Sequence, residues 1–142
     1  MRLLVVTDGT CPAAELRQVL ALLARPTRVV LLAVNEPPLA LGPPEGVLDP
    51  TPTRPPAVVT ERLTAAAVKD GRLACEEFRV LFDGDVDIEV VSRCGDVREL
   101  VGASAAQCEA QLVVVAGWRN PPGLRRSIVA HLDVDRPILL IP

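Results

Sequence analysis

The sequence predicts an α/β fold: one domain on an open, twisted, five-stranded parallel sheet with helices on both faces. Three observations carry this expectation. Five short runs of strand-type apolar residues alternate with segments of helical spacing along the 142 residues. Two of the runs, Leu3 to Val6 and Val29 to Val34, are apolar without a break, as in strands buried on both faces. The intervening segments are long enough for crossover helices, and such connections between parallel strands are right-handed.

The first strand runs from Leu3 to Val6 and leads into Thr7, Asp8, Gly9 and Thr10. Pro12 suits a helix start, and Leu16, Val19, Leu20 and Leu23 recur at helical spacing as far as Arg25 and Pro26. After the second strand, residues 35–59 (NEPPLALGPPEGVLDPTPTRPPAVV) contain eight of the fourteen prolines. Proline fixes φ and lacks an N–H, so this stretch is expected to be an extended, partly polyproline surface loop. It reads either as a loop beside a binding edge or as a segment that docks an unidentified protein partner. Thr60 is placed to cap a second helix that carries Leu63, Ala67, Leu73, Cys75, Phe78 and Leu81 and ends near Asp83 and Gly84; Gly71 weakens its middle. The third strand, Val86 to Val91, alternates at first and ends at Ser92. Asp96 followed by Glu99 is a capping box for a third helix, with Val97, Leu100, Val101, Ser104 and Cys108 along one face. Leu112 to Ala116 and Ile138 to Ile141 complete the strands, and the last helix lies between Gly117 and Pro137.

Composition excludes several classes of function. A chain of this length buries about two thirds of its unfolded surface. With 49% hydrophobic residues but only 2% aromatics, its core is aliphatic. The net charge of -3 is scattered, with no basic stripe for nucleic acid and no polybasic segment for a membrane. The N-terminal apolar run is too short for a signal-peptide core, and no stretch approaches the ~18 apolar residues of a spanning helix, so a cytoplasmic location is expected. Cys11, Cys75, Cys94 and Cys108 form no CxxC pair and His131 is the single histidine, which leaves too few clustered ligands for zinc. The cysteines read as free, structural thiols. His131 has no serine or cysteine at a recognisable spacing, so nucleophilic catalysis has no support.

In open parallel sheets ligands bind beyond the carboxyl ends of the strands. Those ends carry Asp8, Val34 with Asn35, Cys94 to Asp96, and the stretch VVVAGWRNPPGLRRS, residues 113–127. RLLVVTDGT followed by a helix, a second strand ending VNEPP, then CGDVRELVGASAAQCEAQLVVVAGW and a final strand after Pro137 resemble the universal stress protein family over essentially the whole chain. The resemblance implies a Rossmann-like sheet of order 3-2-1-4-5, of the adenine nucleotide alpha hydrolase-like kind, and homodimers paired through the last strand, residues 138–141. It also implies ATP binding, in many members, through G-x2-G-x9-G-[ST] after strand four, with adenine held at Asp8 and Val34. Gly117 matches the first glycine, but Asn120 replaces the second. Counting on gives Ala130 and His131 for the last pair; a loop about four residues shorter gives Arg126 and Ser127 instead. Either register leaves the motif broken.

Local chemistry suggests what stands in its place. Asn120 is a strong N-cap, Pro121 suits the first helical position, and Leu124, Ile128 and Leu132 recur every four residues, so the last helix is expected to start straight after strand four. Pro121 and Pro122 remove two backbone donors where a phosphate would need them. Arg119, Arg125, Arg126 and Ser127 either attract an anion there or form a solvated surface. Asp8 resembles a receiver-domain phosphoacceptor, but strand three ends without an aspartate and strand four without a lysine. It reads as an adenine contact or as a turn-forming acceptor. Cys11, at the start of the first helix, is either a packed thiol or one activated by the helix dipole. Three readings result. The first is a universal stress protein-like, non-enzymatic binding domain of stress response or regulation, dimeric, without a required cofactor and with weak or absent ATP binding. The second holds an adenine nucleotide through Asp8, Val34 and Gly117, with slow hydrolysis. The third is a redox sensor based on Cys11.

Overall fold

In the computed structural model, residues 1–36, 57–119 and 123–142 are described. Nine elements follow in order: β1 (Arg2–Thr7), α1 (Ala13–Leu20), β2 (Arg28–Asn35), α2 (Ala57–Arg79), β3 (Asp87–Cys94), α3 (Val97–Gln107), β4 (Leu112–Ala116), α4 (Leu124–Ala130) and β5 (Ile138–Leu140). The strands form one sheet in the order β3-β2-β1-β4-β5, with every neighbouring pair parallel.

The unbroken apolar runs fill two cores, one on each face, because successive side chains of a strand point opposite ways. Leu3 and Val5 of β1, with Leu31 of β2 and Val114 of β4, pack against Leu16 of α1 and Cys75 and Phe78 of α2. Leu4 and Val6, with Leu32 and Val115, pack on the other face against Val101 and Ala105 of α3 and Leu124 and Ile128 of α4. β3 runs on to Cys94, past the expected end at Ser92, because Val34 and Asn35 of β2 supply partners for Arg93 and Cys94. The Asp96 cap forms as expected: Oδ1 accepts from the Glu99 N–H at 3.1 Å.

The helix ends depart from expectation at several points, among them the end of α2, which stops at Arg79 rather than near Asp83 and Gly84. α1 stops at Leu20, not Arg25, and tightens into a turn in which Leu22 and Leu23 donate to carbonyls three residues back; Leu22 is left exposed. α2 starts at Ala57, so Thr60 lies within the helix rather than capping it. Extending a formed helix costs far less than nucleating one, and nothing in Ala57–Val59 opposes it. Of the loop expected at 35–59, Asn35 belongs to β2 and Ala57–Val59 to α2, while residues 37–56 lie outside the described residues. α4 begins only at Leu124, after Gly123 at φ 93°, and ends at Ala130. The expected start at Asn120 is therefore not where this helix begins; Asn120, Pro121 and Pro122 themselves lie outside the described residues. A left-handed glycine turns the chain sharply at little cost, and the α4 backbone is counted from that turn. Leu132 falls beyond the helix but still packs on the second core.

Gly71 is the point where α2 touches the sheet. A Cβ there would lie 2.5 Å from Ser92 Oγ and 2.8 Å from the Ala33 Cβ. The residue that weakens the helix locally is the one that lets it approach β2 and β3.

Candidate functional site

The strand register brings three of the expected site residues into one row. Thr7 of β1 lies opposite Ala33 of β2 and Ala116 of β4, so one step further the carboxyl edge presents Asp8, Val34 and Gly117 side by side. Adjacent strands are about 4.8 Å apart, a spacing that suits the rim of a flat heterocycle. The Val34 side chain is buried in the second core, leaving its backbone at the edge.

Asp8 is held in a turn. Its Oδ1 accepts from the Thr10 N–H at 3.0 Å and from Thr10 Oγ1 at 2.6 Å, while Thr7 Oγ1 accepts from the Gly9 N–H at 3.0 Å. Of the two roles open to this aspartate, the turn-forming one is present. Asp8 also explains Gly117, because a Cβ on Gly117 would come within 3.0 Å of both Asp8 Cγ and the Asp8 backbone nitrogen.

Past Gly117 the chain turns through Trp118, a bulky residue in the left-handed region at φ 55°. This conformation sends the indole into the second core, where it is 4% exposed. Arg119 is then directed at α1: Nη1 donates to Glu15 Oε1 at 3.0 Å, and Nη2 donates to Glu15 Oε2 and to the Pro142 carbonyl. A guanidinium read either as an anion-attracting group or as solvated surface charge is thus occupied by a carboxylate from the chain itself. Glu15 was not among the expected site residues, and no local pattern points to it, since the pairing depends entirely on how the chain folds back.

Arg125 is half-buried, and its Nη1 has no hydrogen-bond partner among the described residues. Arg126 and Ser127 are exposed on α4. The Ser127 N–H is already bonded to the Gly123 carbonyl at 3.2 Å. Ser127 therefore sits in the body of the helix, not at a free N-terminus facing a phosphate. Arg119, Arg125 and Arg126 line a cleft of about 690 Å³ that reaches Leu140 and Pro142 beside β5.

Cys11 lies in the first core, and its Sγ donates to the Pro12 carbonyl at 3.6 Å. Burial raises its pKa; the positive charges of Arg119 and Arg125 oppose this without cancelling it, and Asp8 adds to it. Burial and a raised pKa are the surroundings of a packed thiol, the first of the two readings of Cys11. Among the described residues no helix is long and apolar enough to cross a membrane, and no three His, Cys, Asp or Glu side chains cluster as a metal site requires.

No protein-family model matches the sequence, and no curated protein is similar to it. Solved structures of the same fold do exist. The hypothetical protein PH0823 is 17% identical, with 99% of this chain and 94% of that one aligned and a TM-score of 0.62. The hypothetical protein MJ0577, the subject of a structure-based assignment of biochemical function, is 16% identical over 99% and 94% of the two chains, with a TM-score of 0.61. A universal stress protein in complex with cAMP is 16% identical over 99% and 95%, with a TM-score of 0.55. At these identities the likeness is one of fold: the chain has the five-stranded 3-2-1-4-5 architecture of the universal stress proteins.

Proposed function

We propose that the chain is a universal stress protein-like regulatory binding domain that works without enzymatic activity and takes up ATP weakly or not at all. The observation that carries this reading is the engagement of Arg119 with Glu15 and the Pro142 carbonyl. An incoming phosphate would have to break a charge-assisted, two-pronged contact before forming its own. The exposed position of Ser127 within α4 supports the same reading. We also propose a homodimer paired through residues 138–141. Support comes from the place of β5 at the edge of the sheet, where it pairs with β4 alone and edge backbone groups invite a symmetry mate.

A second reading keeps an adenine nucleotide at the edge. It is favoured by the row of Asp8, Val34 and Gly117, and by the structure of the same fold that was solved with cAMP. The two readings differ in what purified protein carries. Protein isolated under native conditions, denatured and analysed by chromatography is expected to release no nucleotide. Release of one equivalent of adenine nucleotide would overturn the first reading in favour of the second.

A further inference from the structure

Among the described residues, four of the six large hydrophobic side chains left exposed lie on a single helix, α2, and a fifth, Val80, directly follows its last residue. Val59, Leu63, Leu73 and Val80 are 43%, 50%, 57% and 72% exposed, and Ala66 is exposed in line with them. Asp70 and Glu77 complete a line whose steps alternate between three and four residues. That is the spacing of a seam that meets another helix. It lies roughly 130° around the helix from Gly71, Cys75 and Phe78, the residues that face the sheet, given 100° per residue.

From this seam we propose that α2 pairs with α2 of a second copy of the chain, antiparallel, about a two-fold axis that crosses the seam between Ala66 and Asp70, level with Val68 along the helix. The charges choose the occupant and the direction. In a parallel pair Asp70 would face Asp70 and Glu77 would face Glu77 within the apolar seam, which is repulsive. In the antiparallel register centred on Val68, Leu63 meets the partner's Leu73, and Leu73 the partner's Leu63. The same register sets Arg62, which flanks the seam, against the partner's Glu76, twice by symmetry, and brings Asp70 within reach of the partner's Lys69. One alignment therefore satisfies both the leucine layers and the flanking charges. Glu76 at present lies 3.7 Å from Arg79 on its own helix, an exposed pair that is readily exchanged.

From Val59 to Glu77 the seam is roughly 27 Å long at 1.5 Å per residue. Helix contact of that extent is smaller than a standard stable interface, so the association is weak and reversible. It is also separate from the edge pairing proposed above, because α2 packs on β2 and β3, at the opposite end of the sheet from β5. Two different two-fold contacts on one chain build a closed tetramer or an open line of dimers.

The test is sedimentation across micromolar to millimolar concentrations, in Leu139→Lys protein so that edge pairing does not contribute. That protein is expected to self-associate, and Leu63→Glu with Leu73→Glu to leave monomers; both leucines are half-exposed, so the melting curve should be kept. Arg62→Glu alone and Glu76→Arg alone should each weaken association roughly tenfold, equivalent to about 1.4 kcal/mol. The two together should restore it, because the pair is re-formed with its signs exchanged. Absence of self-association in the Leu139→Lys protein, or failure of the double exchange to restore what the single ones lose, would overturn the proposal.

Discussion

Arg119, just beyond β4, holds both carboxylate oxygens of Glu15 on α1, a residue 104 positions earlier in the chain. The contact links α1 to the turn after β4, and through the Pro142 carbonyl to the segment after β5. Replacing Arg119 by Ala is expected to lower stability by about 1 kcal/mol; the gain from pairing is modest because Glu15 is 39% exposed. For a chain of this size that is a fall in Tm of about 2–5 °C, read by calorimetry. A double-mutant cycle with Glu15→Ala should show a coupling of similar size. Strict additivity would mean that the pair contributes nothing.

Gly71→Ala separates helix propensity from packing. Considered alone, the substitution should favour α2 by about 1 kcal/mol. Against that, the added Cβ meets Ser92 Oγ at 2.5 Å and Ala33 at 2.8 Å, and overpacking costs about 1–3 kcal/mol. Ser92 is itself fixed, its hydroxyl donating to the Val68 carbonyl at 2.7 Å. A net loss in denaturant midpoint is expected; a gain would mean that α2 shifts freely over β2 and β3.

Much of the fold could be read locally. β1, β2 and β4 are recognisable because strands covered on both faces need apolar residues at every position. The Asp96 cap likewise depends on neighbours in sequence. Helix ends were less legible, because α4 starts from a left-handed glycine and α2 runs back past Thr60 by propagation. At the candidate site, the row of Asp8, Val34 and Gly117 follows from strand order, whereas the Arg119 contact does not. Glu15 resembles any surface acid until the sheet brings α1 beside the turn after β4. Trp118 adopts a backbone conformation that its bulk disfavours, so nothing in its neighbourhood announces where the next side chain will point.

Cys75 gives stability a dependence on alkaline pH. Burial is the main reason its thiol is pushed up to about 11, from 9.0, with Glu76 adding to the shift. The unfolded chain releases this proton first, so the contribution is complete below pH 9 and is lost as pH rises through 11. The loss amounts to about 2 kcal/mol. Denaturant unfolding at several pH values between 8 and 11 should show the decline, and Cys75→Ala should flatten it. An unchanged slope in the variant would assign the decline to other groups.

The edge pairing rests on a shorter surface than residues 138–141 suggest, because Ile141 is buried in the first core and its N–H donates to the Val115 carbonyl. β5 itself is Ile138–Leu140, with all three side chains half-buried. Leu139→Lys is still expected to break the dimer, since a charge at the edge opposes strand addition. Light scattering at tens of micromolar decides the matter. An unmodified protein that is monomeric there, and also lacks the α2 pairing, has neither interface.

ATP titration tests the proposed function most directly. Trp118 is the single tryptophan in a chain without tyrosine, and it adjoins Gly117 at the candidate edge. With Arg119 held by Glu15 and Ser127 within α4, millimolar ATP is expected to leave its emission unchanged and to give no binding heat by calorimetry. A saturable emission change at micromolar ATP, matched by heat at one equivalent, would contradict the proposal and establish the Asp8, Val34 and Gly117 edge as a working nucleotide site.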